Sequence, residues 1–244
     1  QNENKIQNVE ISIDYVVQMP PTLFFRVENS FGNLAVPNLN GIVEASVNYG
    51  AFKGGRLTNP NSQLRLRFSK GALDEFAGGI ILLEYGGLEV DQAGKIAIES
   101  SFSTIEMDNI EDLKLESSYD QVEIDRVEVL LVRGEFSNFE IDRLEKSIDA
   151  EIEYGGMEID DVAANFELIK IHSEFGGVEI DIPDDATYLF YTRAEFGSIS
   201  LPKNVEILDQ QKDIGFKEST GRVGNNPGKR KVEVEVEYAS INIE

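Results

Sequence analysis

Apolar residues in this chain alternate with polar ones in short runs that break and restart at near-regular intervals. Around the middle, Leu113 and Leu115 step by two, Tyr119 follows, and after a small or polar pair Val122 and Ile124 step by two again before Val127 closes the unit. Period two predicts strand, and the interruption predicts a bend. Ile96, Ile98, Phe102, Ile105, Met107 and Ile110 repeat the arrangement one unit earlier, and Ile169, Ile171, Phe175, Val178 and Ile180 repeat it later. Taken with the aromatic as origin, the units begin at Phe31, Tyr49, Phe68, Tyr85, Phe102, Tyr119, Phe136, Tyr154, Phe175, Phe196 and Tyr238. The intervals are 18, 19, 17, 17, 17, 17, 18, 21, 21 and 42 residues.

A fixed short period is the mark of a solenoid. Coils of about 17 residues hold two short strands and two turns but no crossover helix, so stacked coils must pair strand on strand in parallel, about 4.8 Å apart. The expected fold is all-β: a single-stranded parallel β-helix of about ten to eleven coils with 17–21 residues each and β caps at both ends. The last interval is twice 21, which places a degenerate coil between Phe196 and Tyr238, with Phe216 its nearest marker. Bends are expected at Gly86-Gly87, Ser103-Thr104, Asp120-Gln121, Ser137-Asn138, Gly155-Gly156 and Gly176-Gly177, types that tolerate tight turns. In the unit from Tyr119 to Asp125, Tyr119, Val122 and Ile124 are assigned to the core and Glu123 and Asp125 to solvent.

One domain is expected over 1–244, divided into a polar tail (1–8), an N-terminal cap (9–30), regular coils (31–201), an irregular and partly basic loop segment (202–231) and a closing coil (232–244). In the cap, Val9–Tyr15 alternates like a strand, Pro20-Pro21 breaks it, and Leu23-Phe24-Phe25 is placed over the first coil. In the closing coil, Val232-Glu233-Val234-Glu235-Val236-Glu237 reads as a terminal strand whose charges discourage edge-to-edge pairing.

Charge narrows the range of partners. The chain carries 45 acidic and 22 basic residues, a net charge of −23, which disfavours nucleic acid and anionic membranes and suits cations or basic partners. There is no cysteine, so disulfides, thiolate metal sites and cysteine nucleophiles are excluded. No apolar run is long enough to span a bilayer as a helix. A chain that opens on Gln1 leads us to expect a removed leader and a periplasmic, cell-surface or secreted location.

The acids are placed by the repeat itself. The fourth and sixth positions after the aromatic hold Glu89/Asp91, Glu106/Asp108, Glu123/Asp125, Glu140/Asp142, Glu158/Asp160 and Glu179/Asp181, so six coils should present two parallel files of outward carboxylates. A further file, Glu135, Glu153, Glu174, Glu195 and Glu237, directly precedes the aromatic. Arg126 and Arg143 follow the ladder by one residue and are expected to pair with neighbouring acids. Oxygen files of this kind suit Ca2+, although the chain lacks the Gly/Asp-rich turns that cage calcium in nonapeptide repeats. No catalytic or cofactor-binding residue is assigned. A glycosidase needs a carboxylate pair made singular by its cleft, and these acids are as regular as the coils. His172, the only histidine, falls at an outward strand position.

The repeated aromatic–small–Gly–apolar units, Tyr85-Gly86-Gly87-Leu88 and Phe196-Gly197-Ser198-Ile199, together with the closing Glu237-Tyr238-Ala239-Ser240-Ile241-Asn242-Ile243, resemble bacterial adhesin-type parallel β-helix domains, a family described as of unknown function. The resemblance covers about Phe31 to Glu244. It implies a bacterial envelope or secreted β-helix and brings no catalytic residues with it. The expected function is therefore a non-catalytic, adhesin-like scaffold presenting an acidic surface to an envelope or matrix component, protein or glycan. Two alternatives stand beside it: a carbohydrate-active, pectinase- or lyase-like β-helix enzyme, and a calcium-stabilised adhesion module.

Overall fold

The computed structural model describes residues 13–244, in which every regular element is a strand. The first five are β1 (Phe25–Ser30), β2 (Asn33–Val36), β3 (Val43–Asn48), β4 (Ala51–Leu57) and β5 (Ser62–Arg67). Five long strands follow: β6 (Lys70–Glu84), β7 (Gly87–Ser101), β8 (Thr104–Ser118), β9 (Gln121–Glu135) and β10 (Asn138–Glu153). Shorter ones come next: β11 (Met157–Ile159), β12 (Leu168–Glu174), β13 (Val178–Ile180), β14 (Tyr188–Glu195) and β15 (Ser198–Ser200). The chain finishes with β16 (Val205–Asp213), β17 (Phe216–Val223), β18 (Lys231–Glu237) and β19 (Ser240–Ile243). They stack as the expected parallel solenoid, but with about nine turns of about 18 residues against the ten to eleven coils expected.

Register is one coil per step, so Leu88 lies on Ile105, Ile105 on Val122 and Val122 on Phe139. Where an 18-residue coil follows 17-residue ones, the extra residue is taken up as a bulge between Leu144 and Ser147. The inward file is one continuous apolar core; Ile98, Leu115, Val132 and Ile152 are each at most 1% exposed.

Four expectations are corrected. First, the aromatic of each coil is not in the core: Tyr119 is 50% exposed, and all eleven aromatics stand outside the corner. All eleven have φ between 47° and 61°. The left-handed conformation makes the aromatic itself the corner, which moves the bend one residue toward the N-terminus, onto pairs such as Tyr85-Gly86. It also turns the side chain away from the inward file. The rings then stack, ten successive pairs with centroids 4.7–5.2 Å apart and planes within 9° of parallel.

Second, the stretch around Phe216 is not a coil. β16 and β17 form an antiparallel hairpin, and β17 pairs antiparallel with β14, so this supposed loop segment extends the sheet at its C-terminal end. Third, β18 and β19 do not close the stack. β18 pairs in parallel with β12 on one side and β14 on the other, and β19 lies between β13 and β15. Val232 and Val234 are accordingly fully buried. The ladder in space runs Phe175, Tyr238, Phe196, and with that order Phe and Tyr alternate without exception from Phe31 to Phe196. Fourth, Phe25 does not cover the first coil but begins it, since β1 pairs with β3. Ile13 and Tyr15 are exposed and lie in no strand; the rest of the expected Val9–Tyr15 strand lies outside the described residues apart from Asp14, which is likewise in none.

From Gly50 onward, each glycine that follows an aromatic is packed tightly against the preceding coil of the stack. A Cβ on Gly176 would sit 1.3 Å from the carbonyl oxygen of Gly155. In four of the five coils without glycine at this place, a side-chain oxygen turns inward and accepts the N–H of the preceding corner, the first being Ser69 Oγ, which accepts from Gly50 N at 3.2 Å. Ser103 Oγ accepts from Gly86 N (3.1 Å), Asp120 Oδ1 from Ser103 N (2.7 Å) and Ser137 Oγ from Asp120 N (3.0 Å). Asp120 is the one carboxylate buried there, 4% exposed, with Ser117 Oγ donating to its second oxygen at 2.8 Å. Burial pushes its pKa above the ordinary aspartate value, against the opposing pull of these hydrogen bonds.

Two predictions follow from the corner. A left-handed φ costs a non-glycine residue about 1–2 kcal/mol, and each ring pair contributes about 0.5–1.5 kcal/mol. Tyr119→Ala, which loses two stacks and keeps the strained φ, should be destabilised by about 1–3 kcal/mol in denaturant unfolding. Tyr119→Gly should be about 1–2 kcal/mol less destabilised than Tyr119→Ala, whereas Ile124→Ala in the core should cost about 2–5 kcal/mol. For Asp120 the folded state holds the proton more tightly than the unfolded chain. Its contribution is fully present below the unfolded pKa and is lost as pH rises through the folded one. Asp120→Ser, the residue of the neighbouring corners, should melt above the parent at pH 7, and the gap should shrink on acidification toward pH 4; a lower melting temperature at pH 7 would contradict the assignment.

Candidate functional surface

Outside the core, the repeat lays residues down in rows. Glu89, Glu106, Glu123, Glu140, Glu158 and Glu179 occupy one continuous row, each in register with the next. Asp91, Asp108, Asp125, Asp142, Asp160 and Asp181 occupy the same position two residues farther along each coil. Alternation drives this placement: Leu88 and Val90 point in, so Glu89 and Asp91 point out. All twelve ladder acids are exposed, as the sequence predicts.

The charge is unevenly distributed along the solenoid. Residues 1–83 are net neutral, residues 84–181 carry 27 acids and seven bases, and the remainder is net −3. All seven bases of the middle section are paired, and none of them with a ladder acid. Lys95 meets Asp112, Lys114 meets Glu116, Lys146 meets Glu128 and Lys170 meets Asp149. Arg133 reaches Asp149 and Glu151. Arg126 and Arg143 pair with acids as expected, both with Glu145, and Arg143 also with Asp161. Hydrogen bonds to Asp161 and Glu145 hold the Arg143 pKa up. Among the described residues, the two ladder rows therefore have no cationic partner.

Partial desolvation and mutual repulsion both push ladder carboxyl pKa values up. Asp160 raises the pKa of Glu158 most, followed by its partial desolvation and by Glu179, Glu140 and Asp181. Desolvation and then Asp125 and Asp91 raise Asp108; desolvation and then Glu244 and Glu179 raise Asp181. In one place the rows converge: Glu140, Asp142 and Asp160 each bring a carboxylate oxygen within 4.8 Å of the others, all three exposed. Such spacing is compatible with oxygens placed around one Ca2+ at 2.3–2.6 Å. The cluster lies open to solvent.

The row before the aromatic gains continuity from the inserted strand. Glu135, Glu153, Glu174, Glu237 and Glu195 are consecutive in space, in that order, each in register with the next. Beside them runs the aromatic ladder from Phe136 through Tyr154, Phe175 and Tyr238 to Phe196, each ring 43–62% exposed. Because ring faces cover one another, the ladder offers solvent its edges. A shallow trough of about 490 Å³ lies along this side, lined by Glu99, Glu116, Glu135, Glu151, Glu153 and the single base Arg133.

His172 is half-exposed on β12, 3.8 Å from Glu174, with Glu151 and Glu235 beside it on the neighbouring strands. The basic run Lys229-Arg230-Lys231 turns onto its own surroundings rather than onto the acidic flank: Arg230 donates to the carbonyl of Thr187 at 3.1 Å and Lys231 approaches Glu233.

Two features escape a reading of alternation alone, the exposed ring ladder and the buried Asp120. A signal for the ladder is present in the composition: the position is Phe or Tyr in all eleven units, while true core positions exchange Leu, Ile, Val, Met and Phe freely. Among family models, curated proteins and solved structures, the chain has no match.

Proposed function

We propose that this protein is a non-catalytic scaffold of the bacterial cell envelope or its exterior, which docks a basic partner along its acidic, aromatic-edged flank. The observation that carries this reading is the set of uncompensated carboxylate rows: every base of the middle section is paired, yet the ladder acids are left without a cation. Like charges about 5 Å apart repel by about 0.8 kcal/mol even in water, so the rows stand ready to be relieved by a cation from outside. Lysine or arginine side chains fit the glutamate row beside the rings, where Glu195 already pairs with Arg193 but Glu135, Glu153 and Glu237 have no basic partner among the described residues, with their charged heads on those carboxylates and their aliphatic stems along the ring edges. The envelope or secreted location rests on the resemblance in pattern to adhesin-type domains.

Regularity supports the non-catalytic reading over a carbohydrate-active enzyme. The raised carboxylates, Asp108, Glu158 and Asp181, belong to repeated rows, and the one long irregular stretch folds into the β16–β17 hairpin in line with the stack instead of walling a cleft. A second reading, a calcium-stabilised module, is favoured by the convergence of Glu140, Asp142 and Asp160.

Binding to oligolysine, followed by calorimetry, should be strong at low salt and weaken steeply with ionic strength. Replacing Glu153, Glu174 and Glu237 together by Gln should lower the affinity at least several-fold without lowering the melting temperature. Equal affinity of parent and variant would remove the glutamate row from the proposal. Because Asp108, Glu158 and Asp181 have raised pKa values, they contribute stability on protonation, so melting temperature should rise as pH falls from 7 toward 5 and also as sodium chloride is added. Millimolar Ca2+ should raise the melting temperature beyond sodium at matched ionic strength if the second reading holds; equal shifts would leave screening alone.

A further inference from the structure

The insertion of β18–β19 creates an acceptor slot bounded by β12 and β13 on one side and β14 and β15 on the other. The inserted strands bury Val232, Val234, Val236, Ile241 and Ile243, each at most 1% exposed, and pair along both edges. Outward side chains fit in register: Glu233 lies between Lys170 and Tyr191, and Glu235 between His172 and Arg193. Tyr238 supplies the ring that separates Phe175 from Phe196. We propose that β18–β19 is an exchangeable donor, which one copy of this chain delivers to the slot of a second copy to form a strand-swapped dimer hinged at residues 224–230.

The hinge makes this exchange inexpensive. β17 lies on one side of β14 and β18 on the other, so seven residues must cross over the start of β14 and span two strand spacings, about 10 Å. The crossing is held by few contacts. Thr187 Oγ1 donates to the carbonyl of Asn226 at 2.9 Å, and Arg230 donates to Thr187 O and Oγ1. Gly224 and Gly228 take left-handed angles of 72° and 60°, and Pro227 lies between them. All pairing and burial in the slot are remade when the donor comes from another copy, so closed and swapped forms differ only in the hinge and in the cost of association. A shortened hinge that strains the crossing tilts the balance toward exchange.

The test uses the absence of cysteine. His172 and Glu235 are register neighbours on adjacent parallel strands, both outward, at a separation suited to a disulfide. The double variant His172→Cys/Glu235→Cys, refolded from denaturant across a concentration series and oxidised with glutathione disulfide, should give a disulfide-linked dimer on a non-reducing gel whose share grows with refolding concentration. Deleting Asn225–Gly228 should raise that share several-fold at the lowest concentration. Linked monomer at every concentration would overturn the proposal, as would equal dimer yield from either single-cysteine variant. Should the deletion prevent folding, the concentration series on the full-loop protein decides alone.

Discussion

Everything outside the core of this protein follows from one distance, the separation of about 4.8 Å between parallel strands paired through their backbones. The backbone sets it, and side chains must live with it. Since each coil lies in register on the next, any residue type repeated at one position becomes a row with that spacing. For rings the spacing is favourable: the ladder from Phe31 to Phe196 keeps its centroids at 4.7–5.2 Å with nearly parallel planes, an offset stack. At the inner corner it is also favourable, because Ser103, Asp120 and Ser137 each reach the N–H of the coil before. For carboxylates it is unfavourable, and the same register that builds the ring ladder assembles the glutamate and aspartate rows.

That conflict is the basis of the proposed docking role. A solenoid needing only solubility is well served by mixed charge, and the other rows of the middle section have it, with each base placed beside an acid. The two ladder rows and most of the row beside the rings do not. Desolvation at Asp108 and Asp181, repulsion from Asp160 at Glu158 and further repulsion between neighbouring acids raise carboxyl pKa values on separate coils, and a cationic partner would relieve the repulsive part. The aromatic edges lend that flank an apolar strip, which the proposed partner's lysine stems would cover while their charged heads meet the glutamates.

The inserted strand shows how a repeat protein departs from one-dimensional order without breaking its rules. β14 follows β12 in sequence but lies two spacings away in the stack, with β18 between them. Three rows pass through the insert intact, the rings through Tyr238, the glutamates before them through Glu237 and the core through Val232 and Val234, whereas the ladder glutamates end at Glu179, which lies in register with Asn242. The strict alternation of Phe and Tyr holds only in this spatial order.

Much of the architecture is legible in the amino-acid order, because backbone pairing and period-two alternation are local rules. Leu113 to Val127 is enough to predict two strands, a corner, an inward Val122 and Ile124 and an outward Glu123 and Asp125, and the intervals are enough to predict parallel stacking. Three things were decided only in the tertiary structure. The aromatic is apolar and follows the alternation, so hydropathy assigns it to the core; only the left-handed φ of the corner, a property of the folded turn, sends Tyr119 outward. Residues 205–223 read as a loop or a worn coil, and became a hairpin because β14 offered an open edge on which β17 could pair. The place of Val232–Ile243 depends on which strand edges remain free after all the others have paired. That is a long-range choice, made by backbone hydrogen bonds and by the fit of one tyrosine between two phenylalanines, and no local pattern encodes it.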